Sequence, residues 1–289
     1  MLVTLKQILN LCEAKKCAVG SFNTPNLEAV MAVIGAAEEL DVPVIIQHAQ
    51  AHEEIMPMDV IVPIMLEMAK KAKVPVCVHL DHGETLEYLQ RALELGFTSV
   101  MYDGSVLGYQ ENVENTKKAV ALAARWGASV EAELGSMGKR ESGAGDGTGE
   151  ADETKIYTDP RQAAEFVRET GIDALACSFG TTHGIYLTAP KLNFSIVEEV
   201  RREAGGIPVV MHGGSGVSPR EFHRAVQAGV RKINYFTYMD KAGGTAAAQC
   251  AAACREGEPL FYSQIIRAAR EGMKKNVKEA MGTFALLDQ

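Results

Sequence analysis

The sequence predicts an α/β protein folded as one (β/α)8 TIM barrel, with a helix before the first strand and an extra helical arm after the last. Three observations point there. Eight short apolar runs alternate strictly with segments of helical period. Eight is the number of parallel strands that closes a barrel. No GxGxxG follows the first run, which sets aside the doubly wound open sheet. Barrels often reach about 200–250 residues or more as one unit, so 1–289 is read as a single domain.

The elements follow in order. Residues 4–15 read as an opening helix, and the first strand is expected at 17–23, before a helix over 26–40. The second run, 42–47, precedes a helix over 60–71, and the third, 74–79, a helix over 84–95. The fourth, 98–101, ends in Tyr102-Asp103-Gly104-Ser105 and leads to a helix over 111–126. The remaining runs are 129–134, 173–177, 207–211 and 230–234. Each is too short for a buried helix, rich in Val, Ile or Ala, and closed by polar groups or Gly, which is how a strand buried on both faces reads. From 242 to about 285 the chain reads as an unbroken helical extension, placed to pack on the barrel or on a second subunit, so a homodimer or homotetramer is expected.

Composition excludes several classes. Hydrophobic residues are 47% and charged residues 23%, ordinary for a globular protein, and the net charge of −8 without a basic stripe argues against nucleic acid. The first residues lack a basic segment followed by an apolar one, and no stretch approaches the length of a membrane span, so a cytoplasmic protein is expected. The six cysteines form no CxxC pair; Cys250 and Cys254, one helical turn apart, could chelate a metal or pack as small apolar residues.

In α/β barrels chemistry gathers at the C-terminal ends of the strands. The third run ends in His79-Leu80-Asp81-His82-Gly83, where Asp81 is either an acid/base or a helix cap, and His82 either a ligand or a packed ring. The sixth leads to His183-Gly184 and the seventh to His212-Gly213. Three of the seven histidines therefore each precede a Gly at a strand end, and three imidazoles with an open fourth position are what catalytic zinc requires. Gly213-Gly214-Ser215-Gly216 offers successive N–H groups at the start of the seventh barrel helix, an anion nest to which Asn234 and Thr237 can add hydrogen bonds. The connection from 134 to 157 holds six glycines between 135 and 149, and leaves from the same lip, as a lid does.

These motifs, together with Gly20-Ser21-Phe22-Asn23, Asp103-Gly104-Ser105, Glu131-Ala132-Glu133-Leu134-Gly135 and Gly180-Thr181-Thr182-His183-Gly184, resemble the zinc-dependent class II fructose-bisphosphate and tagatose-bisphosphate aldolases along essentially the whole chain. The resemblance implies a lyase that cleaves a ketose (bis)phosphate to dihydroxyacetone phosphate and an aldehyde through an enediolate. It implies that His82, His183 and His212 bind zinc, with Glu133 and Asp103 near an alternative metal position. Asp81 would handle the C4 hydroxyl proton, and Glu141, in the lid, the proton on carbon. Asn23 would touch substrate; Gly184, Gly213, Gly214, Ser215, Asn234 and Thr237 would hold phosphate, with a monovalent cation (Na+ or K+) nearby.

The chain also departs from that family. Ala49 stands where relatives place a Ser, Tyr235-Phe236 where small residues are usual, Lys139-Arg140-Glu141-Ser142 in a lid that elsewhere carries Gly and a further acid, and Lys278-Glu279-Ala280 where an Arg commonly serves a second phosphate. These positions surround the substrate and spare the histidines and Asp81. They make Gln47, His48 and His52, at the lip after the second strand, and Tyr235 candidate specificity residues, with plain solvent-facing positions the alternative for the first three, and an altered ketose the expectation. An epimerase or a lyase for unphosphorylated sugars could use the same charge stabilisation; a non-catalytic barrel subunit would be expected to have lost Asp81, Glu141 or a histidine.

Overall fold

A computed structural model describes residues 1–135, 157–181, 190–255 and 258–288. The elements in chain order are β1 (Leu2–Val3), α1 (Leu5–Lys15), β2 (Val19–Asn23), α2 (Leu27–Leu40), β3 (Val44–Ala49), α3 (Met58–Lys71), β4 (Val76–Gly83) and α4 (Leu86–Leu95). They continue with β5 (Ser99–Tyr102), α5 (Tyr109–Ala124), β6 (Ser129–Leu134), α6 (Pro160–Thr170), β7 (Ala174–Cys177), α7 (Phe194–Glu203), β8 (Val209–Met211), α8 (Pro219–Ala228), β9 (Val230–Asn234), α9 (Thr237–Ala252) and α10 (Tyr262–Phe284). Strands β2 to β9 pair in the order β4-β3-β2-β9-β8-β7-β6-β5, and β5 returns to β4, closing an eight-stranded parallel barrel.

Both faces of these strands are buried, which hides the usual two-residue alternation behind continuous apolar runs. The outward residues, such as Phe22, Ile46, Leu80 and Val100, pack against the helices. The inward ones change character with height. Val19, Ile45, Cys77, Ala174 and Val210 fill the lower barrel, and Leu5, Ile8, Leu9 and Cys12 of α1 plug its floor. Above them the lumen turns polar: Ser21, Gln47, His79, Ser99, Glu131 and Lys232 are all fully buried. The plug helix is itself well specified, since Thr4 and Gln7 form a reciprocal capping box.

Two expectations need correction. The first is the missing β1: Leu2 and Val3 pair with Val76 and Cys77 at the foot of β4, a strand too short to show any periodicity. The second is the unbroken C-terminal extension. It is two helices, α9 and α10, separated by a segment holding Pro259, whose ring cannot continue a helix. The pair packs closely because glycines face the contact: a Cβ on Gly272 would lie 2.7 Å from Ala246 Cβ, and one on Gly243 2.8 Å from Met273 Cγ. α10 also lies on α2 and buries Met273, Val277, Met281 and Phe284.

Phe284 anchors that helix to the barrel. Its ring is fully buried, 4.7 Å from Phe222 and 6.0 Å from Tyr235 between centroids, and its carbonyl accepts from Ala18 N–H at 3.0 Å. Phe284→Ala is expected to lower unfolding free energy by about 3–5 kcal/mol in urea or guanidinium titration. A loss within about 0.5 kcal/mol, the range of an ordinary surface change, would show that α10 is a detachable arm.

Candidate active site

The polar upper lumen converges on Asp81. Its Oδ2 accepts from Asn23 Nδ2 and its Oδ1 from Asn234 Nδ2, both at 3.0 Å, and the side chain is only 4% exposed. Asn23 is held in turn by Gln47, whose Nε2 donates to Asn23 Oδ1 at 2.6 Å while its Oε1 accepts from Ser21. Burial opposes ionisation of Asp81, yet His82, His212 and Lys232 around it hold the carboxyl well below the usual carboxylate range. The helix-cap alternative is excluded, because Thr85 caps α4 by accepting from Tyr88 N–H at 3.2 Å.

His82 reaches the site by breaking the strand. Asp81 faces the lumen, so strict alternation would point His82 outward. Its φ of 47° lies in the left-handed region, and the β4–β5 register shifts between Leu80 and Gly83. That bulge re-aims the imidazole inward at a local conformational cost of about 1–3 kcal/mol. Gly83 follows because a Cβ there would meet Leu89 at 2.4 Å and the Met101 carbonyl at 3.0 Å.

His82 Nδ1 lies 2.7 Å from Asp103 Oδ2, and Asp103 Oδ1 accepts from Ser105 N–H at 3.1 Å and from Ser105 Oγ at 2.6 Å. His212, just beyond β8, places Nε2 2.9 Å from Glu131 Oε1. The remaining nitrogens, His82 Nε2 and His212 Nδ1, face one another at 3.0 Å with the rings edge to face. Glu133 stands beside them, its Oε2 3.8 Å from His212 Nδ1 and, among the described residues, without a hydrogen-bond partner. Burial, with Asp103, Glu131 and Asp81 close by, pushes the Glu133 carboxyl up to about 8.

The residues present fit a divalent cation. Each imidazole has one nitrogen turned to a carboxylate and the other inward, the arrangement in which outer carboxylates orient metal-ligating histidines. Glu133 supplies an orphaned buried oxygen amid surplus negative charge. Ligand atoms of Asp81, His82 and His212 lie within 4.8 Å of one another, as do those of His82, Asp103 and Glu133. Nitrogen donors with a few oxygens suit zinc. His183, Gly184 and Glu141 lie outside the described residues.

Other expected positions sort themselves by the side of the wall they occupy. Asn234 joins Asp81, and its Oδ1 is buried without a partner among the described residues. Gly213, with φ 65°, and Ser215 line the loop after β8, while Thr237 begins α9 beside it. Three expectations change. Gly214 N–H donates to the Asn234 carbonyl at 3.2 Å, so Gly214 ties two loops together and its N–H is already engaged. That loop also precedes α8 rather than opening it: α8 begins at Pro219, with Ser218 as its own cap. His48 and Tyr235 are not on the lip. His48 faces outward from β3 with no exposure, 3.4 Å from Glu53, and Tyr235 sits behind the wall against Phe22 and Phe284. Counting alternate residues from Ile45 and Gln47 would have assigned His48 outward. Gln47 is a buried support for Asn23, one layer below the mouth. His52 does reach the rim, its ring tilted against Phe236 with centroids 4.8 Å apart, a partner that sequence reasoning registered only as bulk. Lys232, which bears on Glu131, was missed because a lysine in a strand reads as solvent-facing.

Asp103→Ala removes the partner of His82 Nδ1 and is expected to weaken zinc binding about 10- to 100-fold, the usual effect of losing such a partner. Competition against a chromophoric chelator measures it, and an unchanged dissociation constant would disconnect Asp103 from the site.

Known proteins share this architecture. The model of the family described as "Fructose-bisphosphate aldolase class-II" matches residues 3–289. The chain is 38% identical to fructose-bisphosphate aldolase of Geobacillus stearothermophilus, over 98% of this chain and 96% of that one. It is 36% identical to the fructose-bisphosphate aldolase of Staphylococcus aureus strain Mu50, covering 98% and 97%. The crystal structure of the YdjI aldolase from Escherichia coli K12 superposes with a TM-score of 0.86 at 35% identity, covering 98% of this chain and 97% of the other. No described helix is long and apolar enough to cross a membrane. By sequence and by fold the chain belongs to the class II fructose-bisphosphate aldolase family, and it is an aldolase of the carbon–carbon lyase type.

Proposed function

We propose that the protein is a zinc-dependent aldolase that reversibly cleaves a ketose phosphate into dihydroxyacetone phosphate and an aldehyde. The observation that supports this most is the clamp on Asp81: a buried carboxyl group that accepts at both oxygens, from Asn23 and Asn234, directly beside the facing imidazoles of His82 and His212.

Cleaving the C3–C4 bond sends its electron pair to C3, turns the C4 hydroxyl into an aldehyde carbonyl and releases a proton. Asp81 accepts that proton, and its clamp keeps the carboxylate oriented while it does so. Zinc bound by His82, His212 and His183 would supply a Lewis acid that spreads the charge left on the three-carbon half. Glu141 returns a proton to C3 in the cleavage direction. Gly213 and Ser215, with Gly184 and Thr237, would hold the phosphate, where a bound Na+ or K+ ion would offset part of its charge. Asn234 Oδ1 is an acceptor ready for a substrate hydroxyl.

We infer further that the aldehyde half lacks a second phosphate. Among the described residues, the loops after β2 to β5 hold no lysine or arginine, and the rim there offers His52 tilted against Phe236; Lys139 and Arg140, in the connection after β6, lie outside the described residues. An apolar ring face beside an imidazole suits a sugar better than a dianion, which would need charged donors to replace its water.

A panel of ketose mono- and bisphosphates, assayed for cleavage with and without chelator, tests both parts. Turnover is expected to vanish on chelation and return with zinc; full activity after complete chelation would overturn the metal. Equal or better turnover of fructose 1,6-bisphosphate than of every monophosphate would overturn the single phosphate. Asp81→Asn is expected to lower kcat about 10²- to 10⁴-fold with zinc content unchanged.

A further inference from the structure

Beneath the imidazole pair, in the middle of the barrel, lies a lysine that the reaction does not use. Lys232, on β9, has no exposed surface. Its Nζ stands 2.8 Å from Glu131 Oε2 and 3.5 Å from His79 Nε2, and His79 is anchored through Nδ1 to Ser99 Oγ at 2.8 Å. Glu131 is equally buried and faces two ways: Oε2 toward Lys232, Oε1 toward His212 Nε2 at 2.9 Å. Among the described residues, no other lysine or arginine pairs with Glu131.

We propose that Lys232 is a positioning residue, which through Glu131 commits His212 to present Nδ1, rather than Nε2, to the metal site. The proposal rests on the reading of His212 as a zinc ligand. An imidazole has two nitrogens, and which one is available for a metal is set by the hydrogen bond that the other makes. An anion as deep as Glu131 persists only beside a compensating cation, and breaking a buried pair by removing one partner leaves an uncompensated charge. Lys232 is that cation. Its reach also fixes where the carboxylate lies: with Oε2 drawn toward β9, Oε1 is left on the β8 side, in line with His212 Nε2. His79, pinned by Ser99, closes the third side and keeps the ammonium from swinging toward the floor. The lumen thus holds a column running from β5 through β4, β9 and β6 to the imidazole of β8, whose far end is a ligand atom.

Lys232→Met, close in length but without charge, is the test, compared with Lys232→Met combined with Glu131→Gln. The amide that Glu131→Gln introduces needs no cation, yet its oxygen can still accept from His212 Nε2–H. Zinc affinity is read by competition with a chromophoric chelator, the absorption spectrum of the Co2+-substituted protein reports ligand geometry, and denaturant titration reports folding. The single variant is expected to lose about 10- to 100-fold in zinc affinity and to shift the Co2+ bands, and the double variant to recover most of both. Unchanged affinity and spectrum in a folded Lys232→Met protein would overturn the proposal, as would a double variant no better than the single. If the single variant does not fold, the double variant decides: native-like affinity and spectrum support the proposal, and a loss equal to that of His212→Ala overturns it. A wild-type protein that binds no zinc would instead overturn the reading of His212 as a ligand, and this proposal with it.

Discussion

Two carboxylate–imidazole contacts, Asp103 with His82 and Glu131 with His212, organise everything above the middle of the barrel. Each spends one nitrogen of a ring on a carboxylate so that the other nitrogen turns toward the axis. Asp103 is half-buried, but Glu131 has no exposure and could not be buried alone, since an isolated ionised carboxylate in a dry interior is prohibitively costly. Asp103 is compensated locally, by the N–H and hydroxyl of Ser105 and by His82 itself. Glu131 sits a layer deeper, fully buried in the lumen, and is compensated by Lys232. The two imidazoles therefore depend on different parts of the fold. One hangs on a surface turn after β5, the other on the column of side chains inside the barrel.

This division explains how the lumen can be apolar below and heavily charged above without losing its shape. The floor is filled by Val19, Ile45, Cys77, Ala174 and Val210 against the plug helix, so its packing demands nothing of the polar layers. The polar layers, in turn, are closed by reciprocal bonds between side chains: Gln47 to Asn23, Asn23 to Asp81, Asp81 to Asn234. Those bonds span β3, β2, β4 and β9, so a shift in any one strand would misplace the carboxylate. A site made this way is positioned by the closed sheet itself, with loops supplying only the mouth.

Much of this was legible in the sequence, and the failures share a cause. Alternation of apolar runs with helical segments marked eight strands in the right places, and polar residues at strand ends marked Asp81, His82, His212 and Asn234, while Asn23 came from the family resemblance. What a run of buried residues conceals is which of its side chains face inward. His48 was expected on the lip from its place at the end of a strand, and Tyr235 near the substrate from its departure from the family pattern, and both lie on the outer side of the wall. His82 shows the opposite error waiting to be made: counting by twos would have sent it outward, and only a left-handed backbone at that residue brings it in. Lys232 was illegible for a third reason. Its meaning lies in Glu131, about a hundred residues away in the chain and across the barrel, and no local pattern encodes that pairing.

The same contrast bears on how such a site diverges. The groups that hold the chemistry are tied to one another through the closed sheet, so replacing one orphans another: losing Asn23 strips a donor from Asp81 and leaves Gln47 without its acceptor. The rim obeys no such constraint. His52 and Phe236 touch across the mouth, but neither is built into the Asp81 clamp, and the loop bearing His52 is pinned separately by Glu53 through Tyr88 and Arg91. A change of sugar can therefore be written into that rim at small cost to the barrel, while a change in Asn23, Asp81 or Glu131 propagates through buried hydrogen bonds that have no solvent to replace them. Of the residues that set this chain apart, Phe236 lies at that rim, whereas Tyr235 sits behind the wall against Phe22 and Phe284, where it touches the packing of α10 and not the column beneath.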